Sequence, residues 1–380
     1  LYFSVSYTWS LLISMVLALM FKPLTSNRVM MFAGYITMMI VLVFFLCVKD
    51  PSVGLSTFLA VIVGVGDALA QSGLFAFAAT TDPLYTSAVM AGNGTAGLIV
   101  GVLRLLTKWG FVDTEDALYK SSRVYFAVCV LVIAGAIFSL YTVTKKTSSS
   151  SSEEDARLGD LDSERLRDEE EDESSKVRPF DAILPKSSTT HDGSLIETIV
   201  LAFNRVRRLS REAFTYLTAM FGVFLVTLAL FPAIMVEIKS SSNLGDWWSV
   251  ILIVIFNLFD TIGRTSLSVS CVQERLKSWI KGFDHKLLVL VFSRALYVPL
   301  FWLCVKPDVL AIDGLVILIV ATFALSNGVL STYIISVGSN SFKDDQDKET
   351  VSNLIVLCLM FGLAVGSVVG VGLEGLIWWV

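Results

Sequence analysis

Apolar residues run along this chain in ten long blocks, broken by short polar punctuation and by one long polar insert. The blocks fall at about 2–21, 28–48, 55–79, 85–108, 123–143, 214–236, 248–272, 286–305, 313–338 and 351–377. Each is close to the ~20 residues that a helix rising ~1.5 Å per residue needs to cross a bilayer core. Lipid offers backbone groups no partner, so every block is predicted to be an α-helix that satisfies its own. Between the third and fourth blocks stands only Thr81-Asp82-Pro83, where the proline favours a turn over one continuous helix. The fold class that follows is an all-α polytopic membrane protein.

The polar insert divides five blocks from five. Serines run from Ser148 to Ser152, Glu153-Glu154-Asp155 follows, and Asp168 to Glu173 is an unbroken acidic run. Low hydrophobicity with high charge buries too little apolar surface to fold alone. The expected organisation is a helix bundle over residues 1–143, a disordered cytoplasmic loop over 144–212, and a second bundle over 213–380. The loop ends in the basic stretch Asn204-Arg205-Val206-Arg207-Arg208-Leu209-Ser210. Lys and Arg concentrate on this side of the spans, the bias that marks the cytoplasmic face. Within that stretch Ser210 follows two arginines, a pattern suited to a basophilic kinase whose phosphate would weaken contact with anionic lipid.

Composition supports the membrane assignment and removes other classes. Of 380 residues, 54% are hydrophobic and 17% charged, below the ~25% charged of ordinary soluble domains. The net charge of −5, with the acid gathered in one loop, does not suit a nucleic-acid binder. Five cysteines without CxxC spacing and two histidines predict no metal site. No phosphate-binding glycine loop, zinc motif or nucleophile elbow occurs, so neither an enzyme nor a cofactor is expected. The chain opens on Leu1 inside an apolar run and is expected to begin part-way through a longer protein.

The informative residues are the polar ones inside spans, because an ionisable group at bilayer depth costs ~2.5–3.5 kcal/mol on insertion scales. Asp260 and Arg264 in the seventh block stand at i, i+4 on one helix face, with Asn257 one turn earlier. They read either as an ion pair pinning neighbouring helices or as part of a substrate path. Asp67 and Gln71 share a face of the third block in the same spacing. Asp67 reads equally as an interhelical hydrogen-bond partner or a site residue, and Gln71, with donor and acceptor on one amide, as a site residue. Gly97 with Gly101, and Gly362, Gly366 and Gly370, have the four-residue spacing that lets helices approach closely. Pro232 is expected to kink the sixth block. Arg294, in the eighth, either snorkels outward or contacts a gate inward.

Together these segments resemble the equilibrative nucleoside transporters, solute carrier family 29. The resemblance is carried by Gly66-Asp67-Ala68-Leu69-Ala70-Gln71-Ser72-Gly73, Met90-Ala91-Gly92-Asn93-Gly94-Thr95-Ala96-Gly97, Phe231-Pro232-Ala233 and Glu237-Ile238-Lys239-Ser240-Ser241. It continues through Phe256-Asn257-Leu258-Phe259-Asp260-Thr261-Ile262-Gly263-Arg264, Ser293-Arg294 with Pro299, and Leu325-Ser326-Asn327-Gly328. Members have eleven spans in a major-facilitator-like fold of two bundles, and the ten here match the second to the eleventh. The resemblance implies facilitated passage of nucleosides through a central cavity by alternating access. Asp260 and Arg264 match the residues that meet the ribose hydroxyls, and Gln71 the residue that meets the base. Trp9 and Leu363 match cavity positions, and Gly92 and Gly97 match helix-packing glycines. Asp67 departs from members with a small residue there, and a buried carboxylate able to carry a proton would couple uptake to protons. Family habit favours the plasma membrane, with a vacuolar or lysosomal membrane as the alternative. The rival functions are a nucleobase or sugar carrier of the same fold, or a receptor or scaffold acting through the acidic loop with a kinase as partner.

Overall fold

The computed structural model describes residues 2–21, 25–48, 51–81, 83–110, 123–145, 195–280, 284–305 and 312–379. Among them every regular element is helical: α1 (Tyr2–Phe21), α2 (Asn27–Cys47), α3 (Val53–Thr81), α4 (Pro83–Gly110) and α5 (Arg123–Lys145) come first. After the insert come α6 (Leu195–Glu212), α7 (Phe214–Leu230), α8 (Ala233–Val236), α9 (Asp246–Ser266), α10 (Ser270–Ile280) and α11 (Asp284–Phe292). A 3₁₀ turn (Ser293–Leu296), α12 (Tyr297–Val305), α13 (Asp313–Asn340) and α14 (Asp345–Trp379) complete the chain. Nine helices among the described residues are long and apolar enough to cross a membrane, and the apolar stretch Ser6–Met20 within α1 is a shorter tenth. Residues Leu1–Val130 and Ile199–Val380 make one compact unit, and Leu131–Thr198 a second.

Four blocks differ from their sequence-based outlines, each for a local reason. The seventh does not run to Val272: α9 stops at Ser266, where the Ser266 hydroxyl donates to the Gly263 carbonyl at 2.7 Å, and a turn leads into α10. In this serine-rich segment side-chain hydroxyls compete for backbone groups, which disfavours continuing the helix. The eighth is interrupted by the 3₁₀ turn that holds Arg294. Pro299 has no N–H for the carbonyl of Ala295 and its ring crowds that carbonyl, so the turn before it tightens. The last span begins earlier than 351, because Asp345 and Asp347 sit in the first turn of α14 and complement the helix dipole there. At Pro232 the expected kink is a full break, with α7 ending at Leu230 and Phe231 extended before α8.

The expected loop over 144–212 is helical at both edges, through Lys145 and from Leu195 onward, while its acidic centre lies outside the described residues. In α6 the basic stretch is amphipathic. Leu209 is buried, whereas Arg208 donates to Asp347 at 2.7 Å and Arg205 pairs with Gln346 and Asp347. One turn further along α14, Glu349 accepts from Asn27 of α2 at 2.6 Å. The start of α14 is therefore held from α6 and from α2.

Two buried clusters hold the first unit together. One gathers Leu11 and Met15 of α1, Phe75 of α3, Met90 of α4, Met220 of α7, Ile334 of α13 and Ile355 of α14. The other gathers Leu230, Ile234, Trp248, Leu252, Phe256, Phe301 and Phe323 from α7, α8, α9, α12 and α13. Helix α13 is buried on most of its faces, whereas α1 and α2 leave Ile13, Leu17, Ile36 and Ile40 exposed. Exposed apolar faces of this kind are the surface that acyl chains cover. The glycines of α14 pack as their spacing predicts. A Cβ at Gly362, Gly366 or Gly370 would come within 2.7, 2.6 and 2.9 Å of carbonyl oxygens of α7.

Candidate functional site

One helical turn separates Asp260 from Arg264, and both are buried, at 5% and 7% exposure. Arg264 Nε donates to Asp260 Oδ2 at 2.7 Å. The other carboxylate oxygen accepts from Asn327 Nδ2 of α13, also at 2.7 Å. Asn327 Oδ1 lies 2.7 Å from Thr227 Oγ1 of α7, and Thr227 Oγ1 accepts from Arg294 Nη2 at 3.0 Å. Arg294 Nη1 reaches the Val223 carbonyl at 2.8 Å, Nε reaches Ser326 Oγ at 3.1 Å, and the guanidinium lies 4.7 Å from the centre of the Phe323 ring. The network thus runs from Arg264 through Asp260, Asn327 and Thr227 to Arg294. It crosses α9, α13, α7 and the 3₁₀ turn, and a buried polar network holds only when its members are satisfied.

Glycines bring these helices close enough for the network to form. A Cβ at Gly263 would stand 2.5 Å from the Leu325 carbonyl oxygen, and one at Gly328 would overlap the Asp260 carbonyl oxygen. This mutual close approach of α9 and α13 puts Asn327, next to Gly328, against the Asp260 carboxylate. On the other side of α9, a Cβ at Gly94 of α4 would sit 2.9 Å from Arg264 Cδ, and one at Gly97 2.7 Å from Asn257 Oδ1. Helix α4 therefore lies directly over the Asp/Arg face.

The Arg264 guanidinium is only partly used by the protein. Its Nη1 faces the Met90 sulfur at 3.8 Å, and thioether sulfur is a weak acceptor. Among the described residues no oxygen accepts from either Nη group, so the outer edge of a buried arginine retains donors for a ligand.

A second polar group lies on α3. Gln71 Nε2 donates to Asp67 Oδ2 at 2.9 Å, and the Tyr7 hydroxyl of α1 donates to the same oxygen at 2.5 Å. Close packing of α1 on α3 depends on Gly64, where a Cβ would come 2.7 Å from the Tyr7 carbonyl oxygen. No hydrogen bond among the described residues joins this group to Asp260. Met90, which touches Arg264, packs in the same buried cluster as Ala68 and Phe75 of α3.

The remaining sequence-based candidates distribute unevenly. Asn257 packs on Gly97, and Leu363 is half-buried against the cluster that contains Met90. Arg294 points inward, at 2% exposure, and does not snorkel. Phe231, before Pro232, stacks on Phe256 with ring centres 3.9 Å apart, one turn from Asp260. Two candidates stand apart from the polar network. Trp9 is 59% exposed on the apolar stripe with Ile13 and Leu17, and two residues of helix turn it away from the face that carries Tyr7. Among the described residues nothing lies within 4 Å of a Cβ at Gly92, whereas Gly94 packs beside Arg264. A crevice of about 310 Å³ lies between α9 and α13 around Phe259, Leu318 and Thr322. Its lining is apolar and it is not where the charged pair sits.

Sequence reasoning did not single out Asn327, Thr227, Tyr7 or Met90 for the site. Asn327 carried a usable signal as an amide inside an apolar span; Thr227 and Met90 carried none.

Comparison with known proteins now adds to the geometry. A family model described as nucleoside transporter matches residues 57–374. Equilibrative nucleotide transporter 1 of Arabidopsis thaliana is 29% identical over 308 residues, covering 80% of this chain and 60% of the relative. Equilibrative nucleotide transporter 4 of the same plant is 27% identical over 319 residues, covering 81% and 68%. Human equilibrative nucleoside transporter 1 is 27% identical over 327 residues, covering 81% and 66%. The chain thus spans about three fifths of the length of the first of these relatives.

Proposed function

The chain belongs to the nucleoside transporter family, and on that premise we propose that it carries nucleosides across a membrane by alternating access. In this reading the ribose hydroxyls lie between Asp260 and Arg264, and the base meets Gln71. The carrying observation is the Arg264 guanidinium, buried against Asp260, with Nη1 facing a thioether and, among the described residues, no oxygen accepting from either Nη group. A ribose hydroxyl accepts from that edge and donates to the carboxylate, so one diol engages both charges without covalent chemistry. The glycine seam of Gly94, Gly97 and Gly101 on α9 supports movement of α4 against α9, because small residues leave no side-chain knobs to disengage.

Uptake of labelled adenosine and uridine by the full-length protein in transport-deficient cells tests the reading. Competition by free bases and by hexoses separates it from a nucleobase or sugar carrier. A 2′-deoxynucleoside leaves one charged partner unpaired, at about 1–3 kcal/mol, and its KM is expected to rise on the order of tenfold or more. Equal KM values for ribo- and deoxynucleosides would remove the diol from the site.

Proton coupling through Asp67 is a second reading, favoured by one observation. Among the described residues no Lys, Arg or His forms an ion pair with this carboxylate. Tyr7 of α1 and Gln71 are its hydrogen-bond partners, and Tyr35 of α2 is near enough to feel its charge. A carboxylate in a span with neutral partners is the kind of group that proton relays use. Uptake is then expected to rise as external pH falls and to lose that response in Asp67→Asn. A pH response retained by an active Asp67→Asn protein would exclude Asp67 as the carrier.

A kinase at Ser210 would have to unwind α6, since Leu209 is buried and the Ser210 hydroxyl donates to the Arg207 carbonyl at 3.0 Å. Phosphopeptide mass spectrometry checks this directly.

A further inference from the structure

We propose that Asp67, itself held by Tyr7, fixes the direction of the Gln71 amide and so sets the discrimination between amino bases and keto bases. The inference rests on the reading above that Gln71 meets the base, and it concerns which edge of a base that residue accepts.

An amide side chain has two faces of opposite polarity, and turning it by half a rotation exchanges them at little cost unless a neighbour objects. Here a neighbour does. Gln71 follows Asp67 by one helical turn, and its Nε2 donates to Asp67 Oδ2 at 2.9 Å. Asp67 Oδ2 accepts from both neighbours, so the amide presents N–H to it and turns Oε1 away. The Tyr7 hydroxyl, donating to the same oxygen at 2.5 Å from α1, reinforces that oxygen as an acceptor. Tyr7 is brought there by the close packing of α1 on α3, where a Cβ at Gly64 would come 2.7 Å from the Tyr7 carbonyl oxygen. What remains for a ligand is the second Nε2 hydrogen and Oε1, in one spatial order.

Nucleobases come in two complementary orders. Adenine and cytosine place an exocyclic NH₂ beside an unprotonated ring nitrogen, whereas hypoxanthine and uracil place a carbonyl beside a ring N–H. An amide held in one direction pairs fully with one order and leaves a donor facing a donor with the other. An amide free to turn pairs with both.

The test is the ratio of KM values within two matched pairs, adenosine with inosine and cytidine with uridine, for uptake by the full-length protein. The parent is expected to prefer amino or keto bases in the same sense in both pairs. Asp67→Asn can donate as well as accept and lets Gln71 turn, so both ratios should move toward unity by about tenfold. A role of Asp67 in folding alone would scale all four KM values or the transport rate together and leave the ratios where they were. Ratios unchanged in Asp67→Asn, or a parent without a common sense of preference, would overturn the proposal. Gln71→Leu separates this from failure of the underlying reading. If it leaves all four KM values unaltered, Gln71 does not meet the base. If it raises all four while Asp67→Asn keeps the ratios, only the orienting role is lost. Should Asp67→Asn fail to reach the membrane, Tyr7→Phe keeps the Asp67–Gln71 bond but removes the second donor. It is expected to shift both ratios the same way by a smaller factor, and unchanged ratios there would count equally against the proposal.

Discussion

Arg264→Ala is expected to abolish saturable nucleoside uptake, reducing it by about a hundredfold or more at sub-KM substrate. Two effects combine. The ribose loses a charge-assisted donor, about 1.5–3 kcal/mol, and Asp260 loses one of its two partners while buried at 5% exposure. Removing one member of a buried pair costs about 3–5 kcal/mol, because the other charge is left uncompensated, so the single variant also weakens the fold. The paired replacement Asp260→Asn with Arg264→Gln separates these consequences. It keeps a hydrogen-bonding face toward Asn327 and removes both charges together, so surface expression should return while uptake stays absent. Surface biotinylation alongside labelled uptake gives the answer. If the paired variant transports normally, the charges act only as structural glue between α9, α13 and α4, and the ribose contact falls.

The second large effect is expected at a residue with no side chain. Gly328→Val places atoms where the Asp260 carbonyl oxygen and the Arg264 amide nitrogen already stand, the latter 2.8 Å from a Cβ. Both obstacles are backbone, so neither can rotate aside. Helices α9 and α13 must separate, and the Asn327–Asp260 hydrogen bond breaks with them. Overpacking of this kind costs about 1–3 kcal/mol before the loss of a buried charged hydrogen bond is added. The expected result is a clear fall in thermal stability in detergent together with loss of uptake. Gly92→Ala is the control, since nothing among the described residues lies within 4 Å of the added carbon, and its stability should match the parent. Equal stability of Gly328→Val and Gly92→Ala would show that the α9–α13 crossing is not set by glycine.

Much of the fold is legible in the sequence because the bilayer leaves few choices. An apolar run of spanning length must be a helix, and the blocks correspond to the helices observed. Where outlines shifted, the cause was local chemistry that periodicity does not weigh, as with the serines after Arg264 and Pro299 after Arg294. The site was legible in its most expensive members. A charged pair at i, i+4 inside a span announces itself, and Asp67 with Gln71 does so almost as plainly. Thr227 does not, because a Thr or Ser hydroxyl in an apolar helix ordinarily bonds its own backbone, as several do here, and Tyr7 does not, because a tyrosine at a span's edge is ordinary.

The sequence by itself determined that this chain is a helical membrane protein with an Asp/Arg pair and an Asp/Gln pair inside apolar spans. It also carried the resemblance to nucleoside transporters that the family match bears out. Only the tertiary structure decided what surrounds those groups. Arg294 was poised between outward and inward readings until the 3₁₀ turn set it against Val223 and Thr227. Trp9 lies on an exposed stripe of α1 turned from Tyr7, and Gly92 has no described residue within 4 Å of an added Cβ. The physical reason is the same in each case. Spacing along a helix tells which residues share a face, but which neighbour that face meets is set by packing between helices, as where Gly263 and Gly328 let α9 and α13 touch.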